Sequence, residues 1–317
     1  VLTQNLLHSP YFLITLCVLF WSANFVIGRF IKDDITPLEL AFFRWFFVFL
    51  IISPILIVRY KNILNSLKEN FKILTILAIL GITAFNTLLY FGLTVTTSTN
   101  ALIINSTVPI LVLLMSYVIL KQKINLYQTL GILLSTFGVV FLMLKADISN
   151  IFTLQFNQGD ILVIISSTTW ALYSVLIKFK PKDLNDFEYF AIIVTIGLIL
   201  LLPFYLSQGY SVQKELEVLK HNYSIFLYVS IFASITSYYL WHYGIDKIGA
   251  SKTAQFTHLM PVFGIILASI FLKETLETYH LLGGVLIAFG IYLSLFYKRE
   301  MEVVETVNAN KTLERNK

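Results

Sequence analysis

Apolar runs of about 20 residues recur along nearly the whole chain, each long enough to cross a hydrocarbon layer of about 30 Å as a helix. Of its 317 residues, 57% are hydrophobic and 13% charged, with a mean hydropathy of +0.78. Soluble domains carry about 25% charged residues, so an ordinary soluble fold is excluded and membrane spans make up most of the mass. Charged breaks delimit ten runs. They fall near residues 11–30, 38–58, 72–93, 98–120 and 126–144, then 160–179, 187–207, 224–245, 251–272 and 278–297. The first has no basic segment before it and reads as a retained span. Connections are short and leave no room for a soluble domain, and the closing KREMEVVETVNANKTLERNK reads as a disordered tail.

The pI near 9.0 does not point to nucleic acid, because basic residues in a polytopic protein hold loops in the cytoplasm. With both termini inside, 16 Lys and Arg fall on the cytoplasmic side and six on the other, Arg44 alone lying within a span. The chain is therefore expected to be a multi-pass protein of the inner or plasma membrane with both termini cytoplasmic. Its single cysteine, Cys17, permits no intrachain disulfide and no cysteine-based metal site. No metal and no cofactor are expected.

Sliding the chain against itself by 152 residues, without a gap, sets Gly92 on Gly244, Pro109 on Pro261, Lys121 on Lys273, Tyr127 on Tyr279, Gly131 on Gly283 and Gly138 on Gly290. The earlier spans align at 149, with Trp21 on Trp170 and Phe30 on Phe179. Leu and Phe pairs carry little weight in apolar stretches, whereas Pro, Gly and Lys at one offset carry more. Each copy holds an odd number of spans, five, so the second enters the membrane inverted. The fold expected is an all-α integral membrane protein of ten transmembrane helices, two inverted five-helix repeats around a central cavity. Its divisions are an N-terminal segment at 1–10, repeat 1 at 11–145, repeat 2 at 146–297 and a cytoplasmic tail at 298–317. A unit and its inverted twin can exchange conformations and open one site to alternate sides.

Several stretches resemble the EamA-type transporters of the drug/metabolite transporter superfamily. Span 1 reads LFWSANFVIGRF and span 2 TPLELAFFRWFFVFLIISP. Spans 3 to 5 carry YFGLTVTTSTNALIINSTVPILVLL and LKQKINLYQTLGILLSTFGVVFL, and the late pattern returns as LMPVFGIILASIFLKETLETYHLLGGVLIAFGIYL. The likeness covers roughly residues 11–297. Departures are Gln122, where an acidic residue is usual after span 4 and copy two keeps Glu274, and Ser22, where glycine is usual. The resemblance implies a ten-span bundle with a central cavity that transports amino acids, related metabolites, or sometimes nucleosides, vitamins or drugs.

Polar residues at mid-membrane depth are costly and point to a pathway. Asn86 and Tyr90 share a face of span 3, and Tyr238 and His242 the equivalent face of span 8. Asn105 stands one turn before Pro109 in span 4, and Thr257 one turn before Pro261 in span 9. Trp21 with Asn24, and Trp170 with Tyr173, are matched on spans 1 and 6. Together these would line a cavity suited to a small zwitterion or planar heterocycle, with interhelical hydrogen bonding as the competing role. Pro109 and Pro261 are expected to kink or hinge their helices. Arg44 must pair, reach water or snorkel; it either holds a substrate carboxylate or meets backbone carbonyls or an acidic neighbour such as Glu39. His242 and His258 sit in spans 8 and 9, and either could carry a proton near neutral pH from the ordinary imidazole value, whereas no Asp or Glu sits clearly at the centre of a span.

Neither HExxH, GxSxG, a P-loop nor paired carboxylates is found, so an enzyme is not expected. The expected function is a secondary transporter working by alternating access, with an exporter of amino acids or related metabolites leading and an importer of a vitamin, nucleoside or similar solute as the alternative. The partners expected are a small-molecule substrate and membrane lipid, with a homodimer left open and nucleic acid excluded.

Overall fold

The computed structural model describes residues 8–31, 35–272 and 275–315, and among these there is no strand. Residues 1–7, Lys32, Lys273, Glu274 and Lys317 of the readings above lie outside the described residues. Nine helices among the described residues are long and apolar enough to cross a membrane, and Pro10–Asn24, within the helix Pro10–Ile31, supplies a shorter apolar tenth. Spans 2, 5, 6 and 7 are Pro37–Val58, Leu126–Met143, Gln158–Phe179 and Asp186–Leu206, close to the expected bounds. The helix of span 10 continues through the expected tail as Thr278–Arg315. An even number of crossings puts both ends of the bundle's chain path on one side, called here the termini end; the other is the far end.

Spans 3 and 8 differ from expectation in the same way. They run as Tyr60–Val95 and Val212–Ile248, each beginning about a dozen residues early with an amphipathic segment. Each is then broken at an asparagine, Asn70 (φ −118°, ψ 21°) and Asn222 (φ −114°, ψ 18°). The Asn70 amide donates to the Ser66 carbonyl at 3.2 Å, and Asn222 to that of Val218 at 3.1 Å. An asparagine side chain that bonds the preceding turn competes with the helical ladder, and here it separates a surface segment from the span.

A π-helix follows in each, Ile79–Ala84 and Ile231–Thr236, and both π-helices and asparagines are related by the shift of 152 found in the sequence. Pro54 and Pro203, inside spans 2 and 7, obey the shift of 149. The repeat is thus written in backbone irregularities as well as in residue identities.

Spans 5 and 10 make the most extensive contact in the bundle, and glycines set its closeness. A Cβ at Gly131 would lie 2.4 Å from the Gly290 carbonyl oxygen, and one at Gly290 would lie 2.6 Å from that of Gly131. The main apolar core is shared by spans 2, 3, 6, 7 and 8, while a second core joins span 1 to spans 5, 9 and 10. Trp21 packs against both.

Candidate functional site

Arg44 lies seven residues into span 2, about 10 Å along the helix from its start, and is 3% exposed. Its Nε donates to Ser234 Oγ at 2.7 Å, Nη1 to Asn86 Oδ1 at 3.1 Å and Tyr90 Oη at 3.0 Å, and Nη2 to the Ala233 carbonyl at 2.9 Å. All four acceptors are neutral. Among the described residues no carboxylate forms an ion pair with it. The guanidinium also lies 5.1 Å from the Trp45 ring centroid. Glu39, the acidic neighbour considered from sequence, instead binds Thr36 and Lys214, since residues five apart on a helix point about 140° away from one another. A charge at this depth without a counter-charge is costly, and its hydrogen bonds only partly offset that cost. Asn86, 2% exposed, leaves its Nδ2 with no hydrogen-bond partner.

Around this group the aromatic residues named from sequence come together. Trp21 and Trp170 stand edge to face at 5.3 Å, and Trp170 lies 5.3 Å from Tyr173 and 5.5 Å from Tyr238. The Tyr173 hydroxyl and His242 Nε2 share a hydrogen bond of 2.7 Å. Trp21 donates its indole N–H to the Ala233 carbonyl at 3.0 Å, and Tyr238 donates its hydroxyl to the Gly81 carbonyl at 2.7 Å. Both carbonyls belong to the π-helices, whose i to i+5 bonding loosens the ladder and recurs at functional sites. Asn24 is half-buried on the same helix as Trp21, with no hydrogen bond to another described side chain.

Asn105 and Thr257 sit elsewhere. With Ser106, His258, Met260 and Pro261 they line a small recess between spans 4, 5 and 9, with room for about one water. Span 4 is discontinuous, Ser98–Asn105 followed by Val108–Leu120, and span 9 passes through a 3-10 turn at Phe256–His258. Pro109 therefore stands in the first turn of a new half-helix, where its missing N–H costs little, and the break falls just before it. His258 Nε2 donates to the Ser106 carbonyl at 2.9 Å and its Nδ1 meets Ser135 Oγ at 2.7 Å. Ser106 and His258 are themselves 152 residues apart, so the recess straddles the pseudo-symmetry axis.

Two polar contacts bridge the repeats at opposite ends. At the far end Thr36 and Glu39 form a capping box on span 2, and Glu39 Oε1 pairs with Lys214 Nζ at 3.2 Å. At the termini end Asn185 and Glu188 form the equivalent box on span 7, and Glu188 accepts from Asn62 at 3.2 Å and faces Arg59 Nε at 3.7 Å. Lys180 adds ion pairs to Asp186 and Asp246 at 2.5 and 3.0 Å. Asn62 and Lys214 are again 152 residues apart.

The sequence reading did not reach Ser234, the two π-helix carbonyls or Trp241, whose ring lies 5.1 Å from that of Trp21 and 5.5 Å from that of Trp170. Trp241 was within reach, being one turn from Tyr238 on the same face. The carbonyls were not, because a π turn has no residue signature of its own.

The family profile described as the EamA-like transporter family matches residues 8–144 and again 157–296, once for each repeat. A protein of Archaeoglobus fulgidus named "Uncharacterized transporter" is 27% identical over 294 residues, covering 90% of this chain and 97% of its own. The "Uncharacterized transporter YyaM" of Bacillus subtilis is 28% identical over 276 residues, 86% of this chain and 89% of its own. A crystal structure at 14% identity superposes with a TM-score of 0.72, covering 93% of this chain and 99% of its own, and shares the fold.

Proposed function

The chain belongs to the EamA-like transporter family, and from that premise we propose that it moves small metabolites bearing a carboxylate, of the amino-acid class, across the cell membrane by alternating access. That it is a multi-pass membrane transporter follows from the family and from its apolar helices. The substrate class rests on one observation, the buried Arg44 guanidinium held by neutral acceptors alone. A substrate carboxylate supplies the missing counter-charge, and a fork of guanidinium donors suits it. The unpartnered Asn86 Nδ2 offers a further donor beside it, and the Trp21, Trp170, Tyr173 and Tyr238 rings provide an apolar wall for the rest of the molecule.

Alternating access is supported by the paired contacts, Glu39 to Lys214 at one end and Glu188 to Asn62 and Arg59 at the other. Each joins span 2 or 7 of one repeat to the segment before span 8 or 3 of its twin, so releasing one while holding the other opens a single side. The Lys and Arg count supports both termini in the cytoplasm, which makes the far end the outer one; the direction proposed is export.

The test is metabolite profiling of cells and medium with the wild-type protein, with Arg44→Gln at matched membrane level, and without either. Accumulation in the medium of an amino-acid-class solute only with the wild type supports the proposal. Uptake into cells would reverse the direction, and equal movement of an uncharged or cationic solute by both proteins would remove Arg44 from the site.

A further inference from the structure

The far-end contact contains more than its twin. Glu215, 8% exposed, forms no ion pair and no hydrogen bond of full geometry through its carboxylate oxygens, and the Tyr205 hydroxyl is the donor within reach. What stands against it is the carboxyl group of Glu39, itself 0% exposed, within hydrogen-bonding reach, with the Tyr205 hydroxyl beside it. The sequence showed no paired carboxylates because the two residues are 176 positions apart; the segment before span 8 brings them together. At the termini end the position equivalent to Glu215, 152 residues earlier, is Ile63, buried and apolar. The capping box and its cross-repeat partner recur at both ends, whereas a second carboxylate against the capping glutamate's cross-repeat contact stands at the far end and an apolar residue at its twin.

The charged and titratable groups facing the pair are few. Lys214 pairs with Glu39 at 3.2 Å from a half-exposed position, and its Nζ lies 5.0 Å from the Tyr210 ring. Tyr210 shares a hydrogen bond of 2.7 Å with Thr36 Oγ1, and Tyr205 stacks on Phe42 at 3.9 Å. One lysine neutralises one carboxylate. Two ionised carboxylates in contact away from water repel strongly, and such a pair retains a proton between them.

We propose that Glu39 and Glu215 form a proton-binding site at the far end, and that closing this end takes up one proton from the water on that side. When the end is closed, Glu39 stays ionised against Lys214 and the proton bridges Glu215 to it. When it opens, water solvates both carboxylates, the proton leaves, and the second negative charge opposes closure until a proton returns. The termini end, with Ile63 in place of the second acid, closes without proton uptake. The consequence is a transporter whose two gates respond differently to pH.

Infrared difference spectroscopy of the purified full-length protein in lipid vesicles reads the proton itself and needs no substrate. At about pH 7, where free carboxylates are ionised, the wild type is expected to show the C=O stretch of one protonated carboxyl group, shifted in D₂O. Glu215→Gln and Glu215→Ile are expected to lose it, and the isoleucine variant copies the twin position and keeps a foldable core. Asp160→Asn should leave the band in place, because Asp160 lies apart from the pair and accepts from Thr96, Asn100 and the Asn157 backbone. A band that survives both Glu215 variants, or its absence from the wild type, overturns the proposal whatever the substrate proves to be.

Discussion

Gly81 and Ala233 stand 152 residues apart, at the same place in the two π-helices, and each gives its carbonyl oxygen to side chains from another helix. Tyr238 donates to Gly81 at 2.7 Å, and Arg44 and Trp21 donate to Ala233 at 2.9 and 3.0 Å. The irregular turns are thus where the candidate site is tied to the frame of the bundle, and a motion of span 3 or 8 reaches the site through these bonds.

Arg44→Lys keeps the charge but loses the fork that spans Ser234, Asn86, Tyr90 and Ala233. Truncating one side of a buried charged contact typically costs about 2–5 kcal/mol, so transport of a carboxylate substrate is expected to fall at least about 30-fold. Uptake into proteoliposomes at matched protein content measures it. Activity of the lysine variant within a factor of about two would mean that charge alone suffices.

Cross-linking tests the two ends. With Cys17 replaced, Glu39→Cys with Lys214→Cys, or Glu188→Cys with Asn62→Cys, bridged by a short bifunctional thiol reagent, should each stop transport, with activity returning when a cleavable bridge is reduced. Continued transport with either end bridged would show that the end need not open.

Gly131→Ala forces a methyl group to within 2.4 Å of the Gly290 carbonyl oxygen, and overpacking of this kind costs about 1–3 kcal/mol. A lower midpoint of thermal unfolding in detergent is expected. Gly284→Ala meets nothing within 4 Å and should be neutral or slightly stabilising; equal effects of the two would discount the glycine crossing.

Lys180 is expected to hold the termini end without regard to pH near neutrality. Burial pulls its ammonium down, but hydrogen bonds and charge from Asp186 and Asp246 outweigh burial and leave it above the ordinary 10.5. A raised lysine contributes in full below its unfolded value and loses that contribution only as pH rises through the folded one. In a background with Cys17 replaced, thiol labelling of Ile245→Cys, a buried position beside Asp246, divided by that of an exposed reference cysteine to remove the rise in thiolate with pH, should be flat between about pH 6 and about pH 9 and higher throughout in Lys180→Gln. A rise in the wild-type background within that window would remove Lys180 from the contact.

Much of the candidate site was legible because a buried polar residue in a lipid-spanning helix is rare enough to stand out, and the repeat told which ones correspond. Asn86, Tyr90 and Arg44 meet directly, and Trp21, Trp170, Tyr173, Tyr238 and His242 pack together. Asn105 and Thr257 line a separate recess, because spans 4 and 9 break just before their prolines and turn those residues towards each other.

The sequence by itself determined the membrane class, the ten spans and the inverted repeat, since span length and hydropathy are local quantities and the repeat is a matter of offsets. Only the tertiary structure decided that Arg44 has neutral partners, that Glu39 faces Lys214 and Glu215, and that Glu188 faces Asn62 and Arg59. Those pairings join residues tens to hundreds of positions apart through the crossing of helices, and no local pattern records which distant faces a helix will meet.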